Sequence, residues 1–207
     1  MKKPSDFSRL MGYAGGHRVF TYASLVLSAV SALMALLPFL YIWRILRDVL
    51  AAAPDYTQAV NIPHYGWMAV LFAVLSYLIY VCALLCSHLS AFRVATKLRL
   101  AVTKHLAELP LGFTERFGSG QLRKIIQEST GAAETYLAHQ LPDQAGAMAT
   151  PVGLLVLLFA FDWRLGLLSL VPVFLGFAVM SAMTGKRMEE KMRQYGNALA
   201  AMSNEAV

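Results

Sequence analysis

The chain has 207 residues, of which 57% are hydrophobic and only 14% charged, and its mean hydropathy is +0.54. Soluble domains carry about 25% charged residues, so this balance excludes an ordinary soluble domain and points to a membrane protein. The formal net charge of +6 does not imply a nucleic-acid partner, because the basic residues stand at the ends of apolar segments and not on an aromatic-laced polar surface.

Lys2, Lys3 and Arg9 precede an apolar run that begins only at Val19. That run continues to about Ile45, past Pro38, which is too long for a secretory leader and reads as a retained span. A loop over Asp48–Pro63 follows, with Pro54, Asn61 and Pro63 as breakers. The second span is expected over about 66–89, the third over about 145–161 and the fourth over about 165–183. Each is near the ~20 residues that cross ~30 Å of hydrocarbon. Only helices or closed barrels cross lipid, and these runs are too long and too evenly apolar for barrel strands. The expectation is an all-α membrane protein. Cys82 and Cys86, one helical turn apart in the second run, read as small buried hydrophobes and not as a disulfide or a zinc site.

Lysine and arginine placement sets the orientation. Of the 18 such residues, only Arg44, Arg47 and Arg164 fall on the side opposite the N-terminus. A multi-pass protein of the inner or plasma membrane is expected, with residue 1 and residue 207 both on the cytoplasmic side.

Two spans overshoot the bilayer. Beyond Phe92 the second run meets no Gly or Pro before Pro110 and becomes amphipathic, with Val94, Leu98, Ala101, Val102, Leu106 and Leu109 at helical spacing. From Trp67 to Leu109 it is about twice as long as the ~30 Å core requires. The fourth run turns charged after Met183 yet keeps Met188, Met192, Leu199 and Met202. Helices that leave the membrane for several turns need packing partners in water. On the other side the third and fourth spans are separated only by Asp162-Trp163-Arg164, a tight hairpin with Trp163 at interfacial depth.

Pro110 ends the long second helix. In the loop after it, Gly118 and Gly120 permit tight turns and Ser119 is placed to cap a short helix over about 119–126. Ser119, Gly120, Gln121, Leu122, Arg123, Ile125 and Ile126 are therefore the candidate docking residues, with Leu122, Ile125 and Ile126 offered to a partner. No Gly-x-x-x-x-Gly-Lys-Ser/Thr occurs, nor a kinase set, nor a nucleophile elbow, so no catalytic residue and no nucleotide or metal site is assigned to this segment.

Leu109-Pro110-Leu111-Gly112-Phe113 and Gly118-Ser119-Gly120-Gln121-Leu122 resemble the first intracellular loop of exporter-type ATP-binding-cassette (ABC) transmembrane domains. Asp162-Trp163-Arg164-Leu165-Gly166-Leu167, followed by Pro172, is similar to that family's tight outer turn. The resemblance covers nearly the whole chain in the expected order. It implies a partial exporter-type transmembrane domain: the first four of six helices, the first coupling helix at about 119–126, and an end just before the second. It further implies a nucleotide-binding domain outside this chain that holds ATP and Mg, a second identical or different transmembrane half, and transport by alternating access. Thr114, where a second aromatic is common, and Ser129-Thr130-Gly131, without the acidic residue often found there, depart from the pattern. The patch His139-Gln140-Leu141-Pro142-Asp143 is similar to exporter-fold ABC proteins that import metal–siderophore complexes.

His139 and Asp143 are four residues apart and share one helical face. Ionisable groups at membrane depth mark function, so Tyr77, Tyr80, His139, Gln140 and Asp143 are candidate substrate-cavity residues. His88 reads instead as an interfacial residue. The expected function is the permease portion of an ATP-driven transporter of a small molecule, lipid or chelate. The alternative from another class is a four-helix membrane scaffold. A membrane enzyme would need clustered carboxylates or histidines, which the five scattered histidines do not supply.

Overall fold

A computed structural model describes residues 6–110, 112, 120, 122–184 and 186–205. Among the described residues there is no strand. The chain divides into two compact units, Met1–Leu154 and Leu155–Val207.

The first unit opens with α1 (Asp6–Ala14) and a 3-10 turn at Gly15–His17, followed by α2 (Arg18–Met34) and α3 (Leu37–Ala52). Pro38 cannot donate to the carbonyl four residues before it, and α2 and α3 are separated by a turn at Ala35 and Leu36. The expected span over 19–45 is thus two helices in near-continuous register. After Pro54 a short turn is capped by Asp55. Its carboxylate accepts from the Thr57 hydroxyl at 2.6 Å, from Gln58 and from the Thr57 N–H. Those bonds hold its pKa below the ordinary carboxylate value.

α4 runs unbroken over Ile62–Ala107, 46 residues or ~69 Å. It ends in a turn at Glu108 and Leu109, ahead of Pro110 as the sequence pattern requires. Its Val94 is buried, and Leu98, Ala101, Val102, Leu106 and Leu109 are half-buried along the expected stripe. Cys86 is half-buried but Cys82 is exposed, so only part of the buried-thiol expectation holds.

The next helix starts earlier than the expected span over 145–161. From Leu122 the helical path continues through a π-helical stretch at Lys124–Ser129, α5 (Thr130–Thr135), a second π-helical stretch at Tyr136–Gln140 and α6 (Leu141–Phe161).

Small residues close these helices on one another. α2 presents Thr21, Ser24, Ser28 and Ser31 as a buried stripe, and α4 answers with Ser76, Ala83, Ser87 and Ser90. Thr21 Oγ1 lies 2.6 Å from Ser90 Oγ, and Ser31 Oγ donates to the Ser76 carbonyl at 2.8 Å, which sets the two helices antiparallel. Backbones that approach through serine, alanine and glycine are the usual means of helix association in lipid. α2 meets α6 in the same way. A β-carbon on Gly153 would stand 2.5 Å from Leu33 Cδ2 and 2.8 Å from Leu36 Cδ1.

The three helices converge at Pro142. Proline has no N–H, so the Ala138 carbonyl lacks the donor expected four residues on. Ser87 Oγ donates to that carbonyl at 2.7 Å, and Ser28 Oγ donates to the Pro142 carbonyl at 2.7 Å. Beside this junction lies the main apolar cluster, Met11, Ala14, Ala91, Val94, Leu137 and Ala138.

In the second unit, Asp162 is the single non-helical residue between α6 and α7 (Trp163–Met183). Its carboxylate caps α7 by accepting from the Arg164 N–H at 2.8 Å. The Phe159 ring packs on Gly166, where a β-carbon would meet Phe159 Cδ1 at 2.9 Å. α7 is apolar and, apart from Gly166, Ser169 and Leu170, exposed. α8 (Lys186–Glu205) follows, with Met188 and Met192 exposed.

Two outcomes follow from these contacts. Ser87→Ala strands the Ala138 carbonyl and lowers stability by ~1–3 kcal/mol, whereas Ser87→Thr retains most of it; thermal unfolding in detergent reads the difference. Gly153→Ala costs under ~1.5 kcal/mol, because Leu33 is 44% exposed and swings aside. Gly153→Leu costs ~1–3 kcal/mol in the same assay, and pairing it with Leu33→Ala recovers part of the loss.

Candidate functional site

α4 and the helix over 122–161 run antiparallel and share a polar seam. Tyr80 donates its hydroxyl to Asp143 Oδ1 at 3.1 Å. Nearer the basic boundary, the His88 and His139 rings meet edge to face with centroids 4.7 Å apart, and His88 lies 5.5 Å from Phe92. Further along, Arg99 Nη2 donates to Glu134 Oε2 at 2.7 Å and Arg99 Nε to Thr130 Oγ1 at 3.2 Å. The seam is thus a ladder of one carboxylate with a phenol, two imidazoles, and one ion pair anchored on a buried threonine.

The π-helical stretch at Tyr136–Gln140 adjoins Pro142, whose ring disfavours a regular turn there, and His139 meets His88 across it. Of the sequence-predicted cavity residues, Tyr80 and Asp143 are brought together. His139 joins a different rung, Gln140 is exposed, and Tyr77 is 66% exposed. His88, read from the sequence as an interfacial residue, is the partner of His139 that spacing did not supply. A signal for it was present, since Ser87, His88 and Ser90 form a polar group at the end of an apolar run.

At the end of α4 an apolar groove of about 470 Å³ is lined by Tyr13 from α1, Ala101, Val102, His105, Leu106 and Leu109 from α4, and Leu122 and Ile125. Two predicted docking residues therefore sit against the α4 extension. Leu122 and Ile126 are half-buried, Ile125 is 40% exposed and Arg123 is exposed. Ser119 and Gln121 lie outside the described residues, and Gly120 is helical. Leu122–Ile126 do not close as a short helix of their own but run on into α5. No proline interrupts them, and Thr130 Oγ1 binds the Ile126 carbonyl across the π-helical stretch.

The arrangement of apolar spans, a helix far longer than a bilayer and a polar turn at its far end has a counterpart among known families. The ABC transporter transmembrane region matches residues 21–207. The chain belongs to this family. It is 32% identical over 163 residues to the mycobactin import ATP-binding/permease protein IrtA of Mycolicibacterium smegmatis, covering 77% of this chain and 18% of that protein. The IrtA of Mycolicibacterium thermoresistibile is 33% identical over 159 residues, covering 77% and 17%. An ATP-dependent lipid A-core flippase of Idiomarina loihiensis is 32% identical over 176 residues, covering 83% and 29%. The chain thus spans under a third of the length of each of these relatives. Family membership and, among the described residues, four helices long and apolar enough to cross a membrane make it a multi-pass integral membrane protein.

Within this ABC transmembrane region, the Arg99–Glu134 pair is only partly shielded, at 44% and 24% side-chain exposure. A double-mutant cycle of Arg99→Ala and Glu134→Ala is expected to give ~0.2–1 kcal/mol of coupling, falling with salt. Thr130→Val is expected to cost more than either, ~1–3 kcal/mol, because it removes the buried hydroxyl that Arg99 and the Ile126 carbonyl share; unfolding in detergent at two salt concentrations checks both.

Proposed function

We propose that this chain is the membrane permease portion of an ATP-driven transporter, and that its 119–126 segment is where a nucleotide-binding domain acts on it. The observation that carries this reading is the α4 extension. It continues well beyond the ~30 Å hydrocarbon core and ends beside Leu122 and Ile125 in one apolar groove. A partner pushing on residues 119–126 would move α4 and the 122–161 helix together, since Arg99, Thr130 and Glu134 tie them. Force applied in water would then reach Tyr80, His88, His139 and Asp143. ATP and Mg would be held by the partner domain, and a second transmembrane half, identical or different, would complete the pathway. The lysine and arginine bias supports a cytoplasmic location for this end and for both chain ends.

Along that pathway Asp143 is an ionisable group on a spanning helix, which lipid does not tolerate without a polar partner or an aqueous cavity. With Tyr80, it supports a polar face toward the transported molecule, flanked by Tyr77, His139 and Gln140. The relatives act on a mycobactin and on lipid A core, both large amphiphiles, so the substrate class proposed is an amphiphilic chelate or lipid. Import of a siderophore complex is the narrower form, supported by the two IrtA relatives. Alternating access requires two states of the helix bundle that bind nucleotide and substrate with different affinity.

The test is ATP hydrolysis by the full-length protein in lipid, with and without an iron-loaded mycobactin or lipid A. Leu122→Asp with Ile125→Asp is expected to abolish substrate stimulation. Arg123→Glu, an exposed change that leaves the groove intact, is expected to reduce stimulation several-fold without loss of folding. Stimulation unchanged in both variants would remove the docking role from this segment.

A further inference from the structure

Where α1 turns into α2 the backbone passes Gly15 at φ +57°, a left-handed conformation in which any β-carbon is strained. The turn folds Ser8 and Gly12 of α1 toward Arg18 and Tyr22 of α2, around a concavity of about 300 Å³ that lies outside the seam and groove described above. That volume is at the lower end of ligand-sized pockets. Arg18 Nε donates to the Gly15 carbonyl at 3.1 Å. This bond anchors the guanidinium through one of its five N–H groups, in a planar fork suited to two oxygens of one phosphate. A second cation reaches the same turn. Lys97 Nζ of α4 lies 3.4 Å from the point a β-carbon on Gly15 would occupy.

The depth of this basic elbow is fixed by its neighbours. The Thr21–Ser90 hydrogen bond sets α2 against α4 one turn beyond Arg18. Arg18 is the last Asp, Glu, Lys or Arg before the apolar run of α2, and Arg93 and Lys97 are the first after that of α4. The elbow therefore lies at the edge of the apolar zone on both helices. Exposed apolar side chains begin at once on the other side of that edge: Val19, Leu89 and Phe92, with Tyr22 among them. A concavity that holds a cation and a phenol, on helices whose exposed hydrocarbon begins beside it, matches a molecule that carries both a phosphate and acyl chains. The match does not depend on which side of the membrane the elbow occupies.

We propose that the α1–α2 elbow binds the phosphate of an anionic phospholipid. Arg18 holds two phosphate oxygens, the Tyr22 hydroxyl donates to the headgroup, Lys97 supplies the second positive charge, and the acyl chains lie along Val19 and Phe92. Such charge-assisted, bidentate contacts are the strong class of hydrogen bond.

The full-length protein, reconstituted with equal amounts of phosphatidylcholine and phosphatidylglycerol and then stripped in mild detergent, is examined by native mass spectrometry for retained lipid. Wild type retains phosphatidylglycerol in preference. Arg18→Gln and Lys97→Gln each lower that retention about fivefold, the equivalent of ~1 kcal/mol per cation near an anionic surface. Lys97→Gln lies on an exposed face of α4, so it reads out binding even if Arg18→Gln weakens the elbow itself. Equal retention of the two lipids by wild type, or unchanged retention in Lys97→Gln and Arg18→Gln, overturns the proposal. Displacement of the bound lipid by millimolar inorganic phosphate, with phosphate bound equally well in lipid-free protein, would make the elbow a site for soluble anions and overturn it equally.

Discussion

Pro142 withdraws a backbone donor from a helix that enters lipid, where no water replaces it. The carbonyl it strands at Ala138 is met by a serine from α4, and its own carbonyl by a serine from α2. A proline that would weaken an isolated helix thereby fixes where three helices meet. The adjoining π-helical stretch, the facing of His139 on His88 and the burial of Leu137 and Ala138 all sit within two turns of that point. Hydroxyls take the place that large apolar side chains hold in a soluble core, since lipid tails offer no hydrophobic gain for pairing helices.

Much of this was legible in the sequence, and the reasons divide by type of signal. Length and hydropathy mark all four spans because a lipid-crossing helix must be apolar over its full length, whatever its partners. The amphipathic stripe from Val94 to Leu109 is legible for the same reason, as a period of 3.6 in a segment that leaves the membrane. Thr21, Ser24, Ser28 and Ser31 repeat at helical spacing too, but serine in an apolar run is neutral on a hydropathy scale, so the α2–α4 seam did not stand out. The Tyr80–Asp143 contact was half visible, as two polar residues in separate spans with nothing to pair them. His88 was read as interfacial because its partner depends on how α4 aligns with the 122–161 helix, which spacing does not encode. The start of that helix also escaped the pattern, since a separate short helix was expected to about residue 126 and the helical path from Leu122 instead runs on into α5.

The apolar cluster and the polar rungs sit at different levels and do different things. Met11, Ala14, Ala91, Val94, Leu137 and Ala138 lock α1, α4 and the 122–161 helix together beside the basic boundary. Further into the apolar zone, contact combines glycine, serine and one phenol–carboxylate bond with the stacking of Tyr41 on Phe72. Such contacts hold helices close at little cost to their freedom to shift, because few interdigitated side chains must move. The same chain therefore combines a firmly knit end with a more loosely held interior, a division that suits a body moved from one end.

α7 has no such latitude along its own axis. Asp162 caps its start through the Arg164 N–H, and its 21 residues span ~31 Å, close to the ~30 Å of a hydrocarbon core. α4, at 46 residues, runs well past the hydrocarbon core, and its apolar band gives way to Arg93 and Lys97 where it leaves the membrane. α7 instead matches one hydrophobic thickness, and in a thicker bilayer the lipids around it must compress. The hairpin turn at Asp162 thus makes this helix a gauge for the membrane in which the protein resides.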